Sequence, residues 1–85
     1  MPYLKPEDKE KFEKALREFP STYTPGELNY IFTMLSRAYL HVNGESYQRH
    51  NDIIGALEGA KLEFYRRATA EYERLKAAVN GDVYD

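Results

Sequence analysis

The sequence predicts an all-α fold, a three-helix arrangement with a short N-terminal helix, a capped middle helix and a long C-terminal helix, and it predicts that this arrangement self-associates. Two features place the helices. Apolar residues return every three or four positions along most of the chain, the period of a one-sided helix. Breaker and capping residues divide that pattern into helices at about 6–19, 25–42 and 46–79, with a tail at 80–85. A third feature predicts self-association. The 85 residues include no cysteine, so neither a disulfide nor a thiolate-held metal supplements the small core that a chain of this length can bury. Residues 1–85 read as a single helical domain without internal repeats or low-complexity runs.

The first helix opens with Pro6 at its first position, followed by Glu7 and Asp8, where the helix dipole favours negative charge. Its apolar stripe is thin, made of Phe12, Ala15, Leu16 and Phe19, which predicts a surface helix docked through a few side chains. Pro20-Ser21-Thr22-Tyr23 breaks it. The second start is the clearest local signal. Thr24-Pro25-Gly26-Glu27 places Thr at the N-cap, Pro at the first position and Glu at the third, a capping box. Leu28, Ile31, Phe32, Leu35, Ala38, Tyr39 and Val42 then form one apolar face, and Asn43-Gly44 predicts a left-handed C-cap.

Ser46 caps the third helix, which meets no further stop until Asn80-Gly81 and therefore runs about 34 residues, or about 50 Å. Ile53, Ile54, Leu57, Ala60, Phe64, Ala68, Tyr72, Leu75 and Val79 share its core-facing side. It outruns its partner helix. Either the first helix covers the excess, or the long helix projects, kinks near Gly55 and Gly59, or pairs with another copy, and self-association is expected through this long helix. The same two glycines, four apart, also suit the close approach of another backbone. In the tail, Val83 and Tyr84 are apolar enough to fold back onto the bundle.

Charge and hydropathy narrow the function classes. Lys and Arg number 12 against 14 Asp and Glu, a net charge of -2, which has the wrong sign for the counterion release that drives nucleic-acid binding. Mean hydropathy is -0.72, and no run approaches the roughly 20 apolar residues that span a bilayer. Met1 to Glu18 lacks the apolar run of a signal peptide. These features point to a cytoplasmic protein with no membrane contact. Eight tyrosines and no tryptophan favour half-wet contact surfaces, because the phenol hydroxyl needs a partner when covered.

The best candidate for such a surface flanks the apolar side of the long helix. Tyr47, Asn51, Glu58, Tyr65 and Thr69 line up there in a polar and aromatic strip. Tyrosines supply contact area at low entropic cost, and Asn51 and Glu58 can fix a polar ligand. The plainer account of the strip is a packing boundary against another helix or subunit. Lys61 and Arg66 stand beside it, suited to a phosphate or carboxylate, although Glu63 and Arg67 at i, i+4 spacing suggest ordinary surface pairing. His41 and His50 lack any ligand spacing. Glu27, Glu58 and Glu63 would have to converge to hold a metal. A Gly-rich phosphate loop, a nucleophile elbow and a Cys/His pair are all missing, so no catalytic residue, resident metal or cofactor is assigned.

From Pro25 to Tyr84 the chain resembles a family of short uncharacterised proteins encoded in bacteriophage and bacterial genomes. The resemblance rests on Pro25-Gly26-Glu27-Leu28-Asn29-Tyr30, Ser46-Tyr47-Gln48, Asn51-Asp52-Ile53-Ile54-Gly55 and Leu57-Glu58. It continues through Lys61-Leu62-Glu63-Phe64-Tyr65-Arg66-Arg67, Tyr72-Glu73 and Asn80-Gly81-Asp82-Val83-Tyr84. The sequence departs near Ala70-Glu71, where relatives often carry a proline before the Tyr-Glu pair, a difference that bears on a kink. The resemblance implies a phage-type accessory protein that acts by binding, without turnover. Two binding functions are therefore expected, both through Tyr47, Asn51, Glu58, Lys61, Tyr65 and Arg66: first a homo-oligomeric protein-interaction module that engages itself and a host protein, then sequestration of a small anionic nucleotide-like ligand; a metal-dependent nucleotide hydrolase built on Glu27, Glu58 and Glu63 ranks third.

Overall fold

Pro6–Glu18 forms helix α1 in the computed structural model, which describes residues 4–84. Met1 to Tyr3 and Asp85, the end of the predicted tail, lie outside the described residues. The helix has no side-chain cap at Lys5, and Glu7 and Asp8 sit in its first turn with Arg17 in its last. It stops one residue earlier than the periodicity predicts. Phe19 precedes Pro20, whose ring disfavours the helical region for the residue before it, and Phe19 accordingly takes φ -66° and ψ 136°.

Helix α2 spans Pro25–Asn43 behind the predicted capping box. Thr24 Oγ1 accepts from the Glu27 N–H at 3.1 Å, and Glu27 Oε1 accepts from the Thr24 N–H at 3.2 Å and the Tyr23 N–H at 2.6 Å. One carboxylate thus satisfies donors that the helix start leaves open. Gly44 ends the helix with φ 84° and ψ 150°. Its φ is positive as expected, but ψ is extended, so the chain leaves α2 directly toward the next cap rather than through a left-handed turn.

Helix α3 spans Tyr47–Phe64, with Ser46 Oγ accepting from the Arg49 N–H at 3.2 Å. A π turn at Tyr65–Thr69 joins it to helix α4, Ala70–Asn80, and Gly81 closes α4 with φ 87°. The long C-terminal rod is therefore present, but its irregularity lies beyond the glycines. Helix α3 runs unbroken through Gly55 and Gly59, and a Cβ placed on Gly55 would meet nothing within 4 Å. Within one chain, no other backbone approaches Gly55 closely.

The π turn has a consequence for packing. Counted at about 100° per residue, Tyr72, Leu75 and Val79 would centre about 60° ahead of Ile53, Leu57, Ala60 and Phe64. A π turn takes one extra residue, sets α4 back by about 100°, and so moves its apolar side to about 40° behind. Ala56 lies on that same trailing side of α3.

The helices do not enclose a core. None of the described residues is buried, and large apolar side chains from all four helices stand in solvent. Of the apolar stripes that the sequence directs toward a core, Ile31, Tyr39 and Ile53 are half-buried and the other large side chains stand exposed in the single chain. Helix α1 has no Cα within 8 Å of α2, α3 or α4, and α2 meets α3 only as a splayed hairpin. The radius of gyration is 16.7 Å, against about 12 Å for a compact chain of this length. Val83 and Tyr84 also remain exposed.

Candidate functional site

The hairpin of α2 and α3 is held near its turn by one acidic side chain. Asp52 Oδ2 accepts from the Tyr39 hydroxyl of α2 at 2.8 Å, and Oδ1 accepts from Gln48 Nε2 at 2.7 Å. Arg49 Nη1 stands 3.6 Å from Oδ2. The Gln48 amide, then the Tyr39 hydroxyl, hold the Asp52 carboxyl below its ordinary pKa, and the Arg49 charge adds to them. This clasp fixes the separation of the helices where they begin to diverge.

Beyond the clasp the divergence leaves an apolar groove. Phe32 and Leu35 of α2 face Ile53, Ala56 and Leu57 of α3 across it, with Tyr39 and Asp52 at its closed end. Leu35 is 62% exposed and Leu57 41%. The trailing side of α3 that carries Ala56 is the side toward which the π turn rotates α4. Groove and α4 stripe consequently lie on one side of the molecule.

The predicted strip runs along α3 and the π turn, on a different side from the groove. Tyr47 is 91% exposed at the start of α3, and Asn51 and Glu58 are exposed along the same helix. Tyr65, in the π turn, donates to Glu73 Oε2 at 3.2 Å. The two predicted anion-gripping cations already have carboxylate partners: Lys61 Nζ lies 3.2 Å from Glu58, and Arg66 is bonded to Glu63, which also takes Arg67. Strip and cations share a helix surface but do not converge on one point.

Among the described residues no three His, Asp or Glu side chains gather at metal-binding distance. Glu27 caps α2, Glu58 pairs with Lys61, and Glu63 pairs with Arg66 and Arg67. The convergence required by the hydrolase expectation does not occur in the single chain. His50 Nε2 meets Glu45 at 2.9 Å. Among the described residues, no helix is long and apolar enough to cross a membrane.

Sequence analysis missed the groove and its clasp. Gln48 and Asp52 at i, i+4 with Arg49 and Asp52 at i, i+3 were available signals, as was the Tyr39 hydroxyl on an otherwise nonpolar face. They show that Asp52 is held, but not that Tyr39 comes from another helix to meet it.

A family model described as a domain of unknown function (DUF6899) matches residues 1–83. No curated protein and no solved structure matches the chain.

Proposed function

The chain belongs to the DUF6899 family, and from its surface we propose that it is a binding protein that works as a homo-oligomer, its apolar faces covered by further copies. The observation that carries this reading is the missing core. The chain exposes 7999 Å², about 2,800 Å² more than the roughly 5,200 Å² of a compact monomer of its mass. Hydrophobic burial is the main term that offsets chain entropy on folding. Helices with so little burial gain it by association.

In this reading the assembled outer surface carries the Tyr47, Asn51, Glu58 and Tyr65 strip, and that strip meets a protein partner. The phage or bacterial setting implied by the family resemblance suits an accessory protein that holds a host protein in the cytoplasm without turning over a substrate. The test is the solution mass by light scattering over a hundredfold dilution, followed in parallel by circular dichroism. A discrete oligomer whose helicity falls as it dissociates supports the proposal. A helical monomer that melts cooperatively, at a temperature independent of concentration, refutes it.

A further inference from the structure

Resting on the reading that the chain self-associates, we infer that α1 is an exchanged arm: in a homodimer, α1 of each copy lies in the α2/α3 groove of the other. The arm has an apolar stripe that its own chain leaves uncovered, touching α2 only where Phe19 borders a shallow pocket with Tyr30 and Ile31. Phe12, Leu16 and Phe19 are all exposed, Leu16 at 68%, while no Cα of α2, α3 or α4 comes within 8 Å of α1. The opposite face of α1, with Glu10, Lys11, Glu13, Lys14 and Arg17, is charged and suited to remain in water.

Arm and groove match in spacing. Phe12, Leu16 and Phe19 are 4 and 3 apart, and Phe32, Leu35 and Tyr39 are 3 and 4 apart. Each set therefore spans about 10 Å of helix. Side chains at these intervals form ridges that interlock with those of a neighbouring helix. The groove is open, apolar and walled by two helices, so an inserted α1 would give each hairpin its missing third helix.

The connection favours a second copy over closure within one chain. Phe19 and Thr24 are both extended, and the Tyr23 and Thr24 N–H groups are held by Glu27. These bonds set the linker at the start of α2, at the open end of the hairpin, and α1 leaves it with no Cα within 8 Å of either wall of its own groove. Size points the same way. About 2,800 Å² of excess surface on each of two chains is the scale of obligate homodimer interfaces. A two-fold exchange fills both grooves with both arms and leaves no arm over.

Because the chain has no cysteine, introduced thiols report without background. Leu16→Cys and Leu35→Cys are made in separate chains carrying different tags, mixed by joint refolding, oxidised and analysed by mass. The expected result is a disulfide joining one copy of each, with light scattering giving a dimer. A dimer mass without that cross-link overturns the arm exchange and leaves self-association standing, and a monomer mass overturns both. A double variant, Leu16→Cys with Leu35→Cys, tests closure within one chain. A disulfide formed inside a single chain refutes the exchange. Should the thiols disturb packing, Leu16→Lys and Leu35→Glu provide a second route. Each alone is expected to lose dimer mass and their mixture to regain it, whereas a mixture that stays monomeric counts against the inference.

Discussion

Leu35→Ala separates a covered groove from an open one by magnitude and by sign. Leu35 is 62% exposed on α2. If it stays in water, truncation removes mostly solvated atoms and replaces Leu with the better helix former, so stability changes by less than about 0.5 kcal/mol and in either direction. If an arm covers it, the newly buried fraction alone contributes about 1–2 kcal/mol of transfer free energy. The cavity left by truncation raises the cost to about 2 kcal/mol or more for each subunit. With two grooves in a dimer, the loss is about 4 kcal/mol, or roughly a thousandfold in the dissociation constant. The assay is urea unfolding at several protein concentrations, fitted jointly to a dimer model. A midpoint that moves with concentration in the parent chain and drops sharply in the variant supports the covered groove. An unchanged midpoint, independent of concentration, would refute the reasoning.

Three further outcomes are expected. Thr24→Ala removes the acceptor for the Glu27 N–H and should cost about 1 kcal/mol, visible as a melting temperature lower by about 4–8 °C at fixed protein concentration; an unchanged melting temperature would mean that the cap is idle. Deleting Ala68 takes the extra residue out of the π turn and turns the apolar side of α4 by about 100°, so helicity by circular dichroism should persist while the oligomer mass falls. An oligomer of unaltered mass would show that the turn does not align the interface. Asp52 is expected to titrate below an ordinary carboxyl when followed by NMR, and Gln48→Ala should move its midpoint up more than Tyr39→Phe does. Because the folded-state pKa is the lower one, the clasp contributes fully above the ordinary carboxylate pKa and is lost as pH falls through the lowered value. Variants that leave the midpoint in place would contradict the hydrogen bonds as its cause.

The sequence by itself determined the helices and most of their ends. Thr24 and Glu27 make their box within four residues, Ser46 caps Arg49, Pro20 stops α1 and Gly44 stops α2, all through contacts that neighbouring residues can make whatever the rest of the chain does. It also determined which side of each helix is apolar, since that follows from spacing alone. The strip from Tyr47 to Tyr65 was legible in the same way, as a register on one helix. Only the tertiary structure decided where those sides go. That Tyr39 reaches Asp52 depends on the angle between α2 and α3. The pairing of Lys61 with Glu58 and of Arg66 with Glu63 is by contrast local, at i, i+3 along one helical rod, whereas the π turn beyond Phe64 has no residue signature comparable to a proline or a glycine pair. The absence of a core was the least legible feature of all. Burial is non-directional and proportional to the area removed from water, so a spacing pattern shows that an apolar face needs cover but carries no information about whether its own chain supplies it.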